Sequence, residues 1–258
     1  MGRIYITGDC HADFSKFSVK KFPEQKELSR EDFVIICGDF GGVWSDCKEE
    51  KYHLNWLNKK PFTTVFVDGN HENFDRLYSN EFEVVDFCGG KAHKIRDNIY
   101  HLMRGYVFNI CGKKIFAFGG ASSHDIKDGI LEPNDFCDTR SLIKRYRTMT
   151  LQGKYVRINH ISWWKEELPN DEEMAFGLQT LNEHDHKVDF VVTHCCPQEV
   201  ASYMSCGSYK PDRLTLYFNK VAENLDFSTW FFGHYHEDRE INLDNKYVML
   251  YNQIMRIV

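Results

Sequence analysis

Apolar residues in this chain of 258 residues gather in short solid runs. Ile4-Tyr5-Ile6, Phe33-Val34-Ile35-Ile36, Val65-Phe66-Val67, Phe190-Val191-Val192 and Trp230-Phe231-Phe232 are built largely from β-branched and aromatic residues. Such runs, bounded by glycine or polar residues, predict buried strands. Between the first three, apolar positions recur at helical spacing. Phe14 and Phe17 mark an amphipathic turn or two over residues 13–22, stopped by Pro23. Tyr52, Trp56 and Leu57 mark a helix over 45–59, closed by Pro61, and a short polar helix follows over 72–79 with Leu77 facing in. Strand–helix alternation of this kind predicts parallel strands joined by crossover helices.

From Asn98 the pattern changes. Residues 99–110 and 113–118 read as strands with a hairpin turn at Cys111-Gly112. Residues 121–187 are the least regular stretch, with a charged run at 139–148 and the pair Trp163-Trp164. Within it, Asn170 and Glu173 form a capping box ahead of an apolar face of Met174, Leu178 and Leu181. Another helix follows Pro211, with Leu214, Phe218, Val221 and Leu225 in period, and residues 246–258 read as a closing strand or hairpin. No repeat or linker interrupts the chain. The expected architecture is one domain over 1–258, two packed β-sheets flanked by helices. The 121–187 segment is expected to overhang the edge where the five apolar runs end.

Those strand ends carry the candidate chemistry. The runs lead into Gly8-Asp9-Cys10-His11, Gly38-Asp39, Gly69-Asn70-His71-Glu72, Thr193-His194 and Gly233-His234-Tyr235-His236. If the strands lie side by side, two Asp, one Asn and five His converge, a set suited to binding metal. A core does not favour so many uncompensated polar residues at strand ends.

Composition narrows the picture. Thirty-two basic and 38 acidic residues give a formal charge of −6, without the basic footprint of a duplex-binding protein. No apolar stretch approaches bilayer length, and the chain enters a strand at once with no signal-peptide pattern, so a cytoplasmic location is expected. Nine cysteines without a C-x-x-C pair read as reduced thiols. Cys10, Cys195 and Cys196 adjoin the ligand positions, but oxygen and imidazole groups already fill the set, and the thiols suit small apolar packing.

The motifs D-x-H, G-D, G-N-H-E, T-H and G-H-x-H, in this order from Asp9 to His236, resemble the calcineurin-like metallophosphoesterase superfamily, in particular its small bacterial or phage-type phosphatases. The resemblance implies an α/β, or α+β, four-layer α-β-β-α sandwich with a two-metal centre. It implies that Asp9, His11 and His236 hold one ion, that Asn70, His194 and His234 hold the other, and that Asp39 bridges them. His71 then faces the substrate as general acid or charge stabiliser. The resemblance implies two divalent transition ions, Mn foremost with Fe, Zn, Co or Ni as alternatives, and histidine ligands suit these ions better than Mg or Ca. Such a pair clamps phosphoryl oxygens and lowers the pKa of a water. Glu72 is expected either to orient a neighbour or to serve as a helix N-terminal acid.

The second motif departs from the family's phosphoprotein phosphatases. It reads Gly38-Asp39-Phe40-Gly41-Gly42-Val43-Trp44, without the Asp-Arg pair whose arginine grips phosphate. Arg76 and Arg104 are candidate replacements, although a solvated surface arginine is the ordinary case. Asn70, His71, His124 and Arg76 are therefore the candidate substrate contacts, and Ser122-Ser123-His124-Asp125 follows Gly119-Gly120 where such contacts are expected. The expected activity is hydrolysis of a phosphate monoester on a small molecule, nucleotide or phosphoprotein. A phosphodiesterase, a dinucleoside polyphosphate hydrolase and a non-catalytic scaffold of the same fold are the alternatives.

Overall fold

The computed structural model describes residues 2–258; Met1 lies outside them. In chain order, β1 (Ile4–Thr7), β2 (Phe33–Ile36), β3 (Thr63–Phe66), β4 (Glu83–Phe87), β5 (Gly90–Arg96) and β6 (Ile99–Leu102) enter one sheet. β7 (Tyr106–Ile110) and β8 (Lys113–Phe118) open a second. β9 (Ile130–Leu131) and β10 (Arg157–Ile158) form a small separate pair. β11 (Phe190–Thr193), β12 (Thr229–Phe232), β13 (Arg239–Asn242) and β14 (Lys246–Met249) complete the second sheet, and β15 (Met255–Arg256) returns to the first. The orders are β15-β1-β2-β3-β6-β5-β4 and β13-β14-β12-β11-β8-β7. β1, β2 and β3 are mutually parallel, as are β8, β11 and β12, so each trio delivers its exits to one edge.

Alternation along these strands builds the layers. Ile4, Ile6, Ile35 and Val65 of the first sheet meet Ile115, Ala117, Val192 and Phe231 of the second in the central core. The intervening Tyr5, Val34, Ile36 and Phe66 pack outward with Leu54 and Leu57 of α1 (Lys48–Asn58) and Leu77 of α2 (Phe74–Leu77). After α3 (Thr139–Leu151), the helices α4 (Asp171–Glu183), α5 (Gln198–Ser205) and α6 (Arg213–Asn224) cover the other face, on Phe116, Phe118, Val191, Trp230 and Phe232. The result is the expected α-β-β-α sandwich. Strands buried on both faces explain why the runs are solidly apolar.

Several elements differ from expectation. Residues 13–27 form two short 3-10 turns, Ser15–Phe17 and Pro23–Glu27, and Pro23 begins the second rather than ending a helix. Residues 99–110 are two strands in different sheets, separated at Gly105, whose φ of +84° lets the chain cross between them. β4 and β5 were not expected; β4 is a largely exposed edge, with Val84 50% exposed. The charged run at 139–148 lies in α3, whose Asp138–Ser141 capping box supplies its start. The tail divides, β14 joining the second sheet and β15 pairing antiparallel with β1.

Candidate metal centre

The five strand-exit loops meet across the edge of the sandwich. Cys10 and His11 donate backbone N–H to the carbonyl of Asp39 at 3.0 and 2.8 Å, and Gly233 N–H reaches the carbonyl of His194 at 2.9 Å. His11, Asp39, His234 and His236 all have left-handed backbones, with φ of +46°, +45°, +70° and +56°. Residues other than glycine rarely adopt this conformation, and each such residue stores about 1–3 kcal/mol that the surrounding contacts offset. Three glycines make the room: a Cβ on Gly38 would stand 2.2 Å from the His194 ring, one on Gly69 2.1 Å from Asp39 Oδ1, and one on Gly233 2.1 Å from Asp9 Oδ1.

Two triads with ligand spacing result: Asp9, His11 and His236, and Asp9, Asp39 and His194. In the first, the Nε2 atoms of His11 and His236 lie 3.0 Å apart, and each stands near Asp9 Oδ2, at 3.7 and 3.1 Å. In the second, His194 Nε2 is 3.3 Å from Asp39 Oδ1 and 3.2 Å from Asn70 Oδ1. Asp39 Oδ2 lies 3.7 Å from His11 Nε2, so its two oxygens face the two sides. The His234 ring sits 5.0 Å from that of His194, and His124 Nε2 stands 3.0 Å from His234 Nε2.

The donor set fits a cation pair. Asp9 Oδ1 accepts the His234 N–H at 3.0 Å, whereas the buried Oδ2 receives no hydrogen bond of good geometry. A buried carboxylate oxygen left in this way needs positive charge. His194 Nδ1 donates to the Cys37 carbonyl at 2.7 Å, which turns the Nε2 lone pair inward. Burial lowers His194, but Asp39 and Asp9 outweigh it and raise it to about 10. Burial likewise opposes ionisation of Asp39, yet His194, His71 and His11 hold its carboxyl far below the usual range. Burial and the neighbouring His194 and His124 push His234 well down, as suits a neutral ligand. Neither triad contains a cysteine: Cys10 and Cys195 are buried, and Cys196 lies 3.4 Å from the Tyr235 hydroxyl.

His71 donates its backbone N–H to Asp39 Oδ1 at 2.7 Å, and its ring is 5.3 Å from that of His11. Glu72 is not a helix N-terminal acid, since α2 begins at Phe74 with Asn73 as its cap, and it acts on a neighbouring loop instead. Its buried carboxylate accepts the N–H groups of Phe40 and Gly41 at 2.7 and 3.1 Å and so pins the loop that carries Asp39. Arg76 is not brought to the ligands. Its side-chain donors go to Glu50 at 2.7 Å and to Glu81 at 2.6 and 3.1 Å. Arg104 is buried rather than solvated, and it holds Asp68 at 2.5 and 3.0 Å. Trp164 anchors the irregular segment through Asp75 at 2.7 Å and an edge contact with Trp44. A cavity of about 520 Å³ opens beside the ligands, with His124, His234, Tyr209, Tyr235, Lys127 and Lys210 in its wall. Sequence reasoning missed Glu167, whose buried carboxylate accepts from Ser123; no periodic or motif signal marks it.

The model of the calcineurin-like phosphoesterase family matches residues 2–238. The lariat debranching enzyme of Danio rerio is 24% identical over 262 residues, which is 91% of this chain and 40% of the relative. That of Homo sapiens is 23% identical over 91% of this chain and 42% of its own length. Lariat debranching enzyme A of Xenopus laevis is 28% identical over 50% of this chain and 26% of its own. The chain thus spans less than half the length of these curated relatives. A phosphopantetheinyl hydrolase structure from Mycobacterium tuberculosis aligns with a TM-score of 0.44 and 14% identity, over 97% of this chain and 90% of that one.

Proposed function

Since the chain belongs to the calcineurin-like phosphoesterase family, we propose that it is a hydrolase of phosphate ester bonds that works with two divalent transition ions on a phosphodiester. Asp9 carries the two-ion part of this reading: it belongs to both triads, and its buried Oδ2 accepts no hydrogen bond of good geometry. Asp9, His11 and His236 would hold one ion, Asn70, His194 and His234 the other, with Asp39 between. Bound there, the ions polarise a phosphoryl oxygen and lower the pKa of a water.

The chain's own residues do the rest. The Phe40 and Gly41 amides on Glu72 fix the Asp39 loop. The His71 amide on Asp39 fixes the loop that presents the His71 ring. That ring is the group available to hold a proton for the leaving alkoxide.

The sequence alone favours a monoester. The arginines shift the preference: a terminal phosphoryl group carries more charge than a diester, and both candidate clamps are already neutralised by carboxylates. The cavity beside His234 offers space for a second ester group. The relatives named for debranching lariats point the same way. A manganese-loaded preparation should turn over bis(p-nitrophenyl) phosphate faster than p-nitrophenyl phosphate. A preference for the monoester would return the assignment to a phosphomonoesterase.

A further inference from the structure

Resting on Asn70 as a metal ligand, we infer that Ser123 and Glu167 are positioning residues that set which end of the Asn70 amide faces the ion. An asparagine side chain has two ends of nearly equal shape, and only the oxygen can ligate a cation. Something must keep the NH2 end turned away.

The hydrogen bonds supply that direction. Asn70 Nδ2 donates to Ser123 Oγ at 3.3 Å, while Asn70 Oδ1 faces His194 Nε2 at 3.2 Å. The Ser123 hydroxyl has one proton, and it goes to Glu167 Oε2 at 2.5 Å. Its oxygen is thereby left as an acceptor, and the Asn70 amide can meet it only with NH2. The other Glu167 oxygen accepts the Ser123 backbone N–H at 2.9 Å. All three residues are buried, at 6%, 9% and 1% exposure, so water does not substitute for a missing partner.

The carboxylate is itself held firmly. Glu167 N–H bonds the Trp164 carbonyl at 3.1 Å, and its carbonyl accepts from Ala121 at 3.2 Å. Arg104 Nη2 donates to the adjacent Glu166 carbonyl at 2.8 Å. The irregular segment therefore reaches the metal centre through a directed chain: carboxylate, hydroxyl, amide, ion.

Replacing Glu167 with glutamine reverses the chain without changing its shape. The Ser123 backbone N–H cannot be turned around, so the glutamine oxygen must accept it. The glutamine NH2 then faces Ser123 Oγ, and the hydroxyl proton is displaced toward Asn70. Asn70 would answer with its oxygen and present NH2 to the ion. Ser123→Ala removes the director without reversing it, so its effect should be smaller. Ser123→Thr retains the hydroxyl.

The test is manganese titration of the chelator-treated full chain by calorimetry, at about pH 8.5, where a carboxyl raised by burial to about 7 is ionised. Thermal melts check that each variant is folded. Glu167→Gln should weaken one of two binding events by about 10- to 100-fold, Ser123→Ala should weaken the same event less, and Ser123→Thr should restore it. Asn70→Ala should abolish that event. If Asn70→Ala loses an ion while folded Glu167→Gln binds both as tightly as the wild type, the positioning role fails and the ligand assignment stands. If Glu167→Gln does not fold, equal affinities for Ser123→Ala and Ser123→Thr overturn the inference. If Asn70→Ala keeps both ions, the ligand assignment itself falls.

Discussion

Arg104→Met separates a structural arginine from a phosphate clamp. The guanidinium places Nη2 at 2.5 Å and Nε at 3.0 Å from Asp68 Oδ2, and its third nitrogen lies 3.4 Å from Glu173. The two side chains are 2% and 0% exposed. Methionine keeps much of the apolar stem but leaves the Asp68 carboxylate with His101, at 3.1 Å, as its remaining side-chain partner. Removing one member of a buried pair costs about 3–5 kcal/mol, because the other charge stays behind uncompensated. At about 2–4 °C per kcal/mol for a domain of this size, Tm should fall by about 6–20 °C. Adding Asp68→Asn should recover part of the loss, with a coupling above about 1 kcal/mol. Burial raises the Asp68 carboxyl, but Arg104 and His101 outweigh it and hold it low. A group depressed in this way contributes stability above its unfolded value of about 3.9 and loses it as pH falls through the folded value. Wild type and variant should therefore converge in strong acid. Thermal melts across pH, read beside steady-state kinetics, make the test. An unchanged Tm with a raised KM would refute the structural role and restore Arg104 as a substrate contact.

Gly69→Ala should deplete the metal centre, because the new Cβ falls 2.1 Å from Asp39 Oδ1 and 2.4 Å from its backbone nitrogen; overpacking of this kind costs about 1–3 kcal/mol, and wild-type manganese content by elemental analysis would count against it. His71→Ala should keep the metals and slow an alkyl ester by about 10²–10⁴-fold while sparing an activated aryl ester; equal losses on both would leave only charge stabilisation. Asp32→Asn should destabilise at pH 7 and not near pH 2. Burial opposes the Asp32 charge, but Arg3 and the Ser29 N–H hold the carboxyl at about 2, so its contribution is present above about 3.9 and lost as pH falls through 2; a denaturant midpoint difference that persists in acid would contradict this.

The convergence of the candidate ligands was legible because each follows a strand buried on both faces, where periodicity and chemistry are written in adjacent residues. Asp9 to His11 and His234 to His236 are short-range signals. Their convergence then follows from parallel pairing of β1 with β2 and of β11 with β12. What sequence could not reveal depends on partners far along the chain. Glu72 finds Phe40, 32 residues away, and Ser123 finds Glu167, 44 away. Arg104 looks like any surface arginine until its carboxylate partner Asp68, 36 residues earlier, is placed beside it. β4 stayed hidden because an exposed edge strand carries little apolar pattern, and α3 because its charged surface masks the few buried positions, Leu142 and Met149.

The most direct test is to titrate manganese into metal-stripped protein while following bound ion and hydrolysis of bis(p-nitrophenyl) phosphate together. Two ions should bind per chain, with turnover appearing only as the second site fills, and Asp39→Asn should lose both properties at once. Turnover that survives chelation, or full activity with a single ion bound, would contradict the two-metal account.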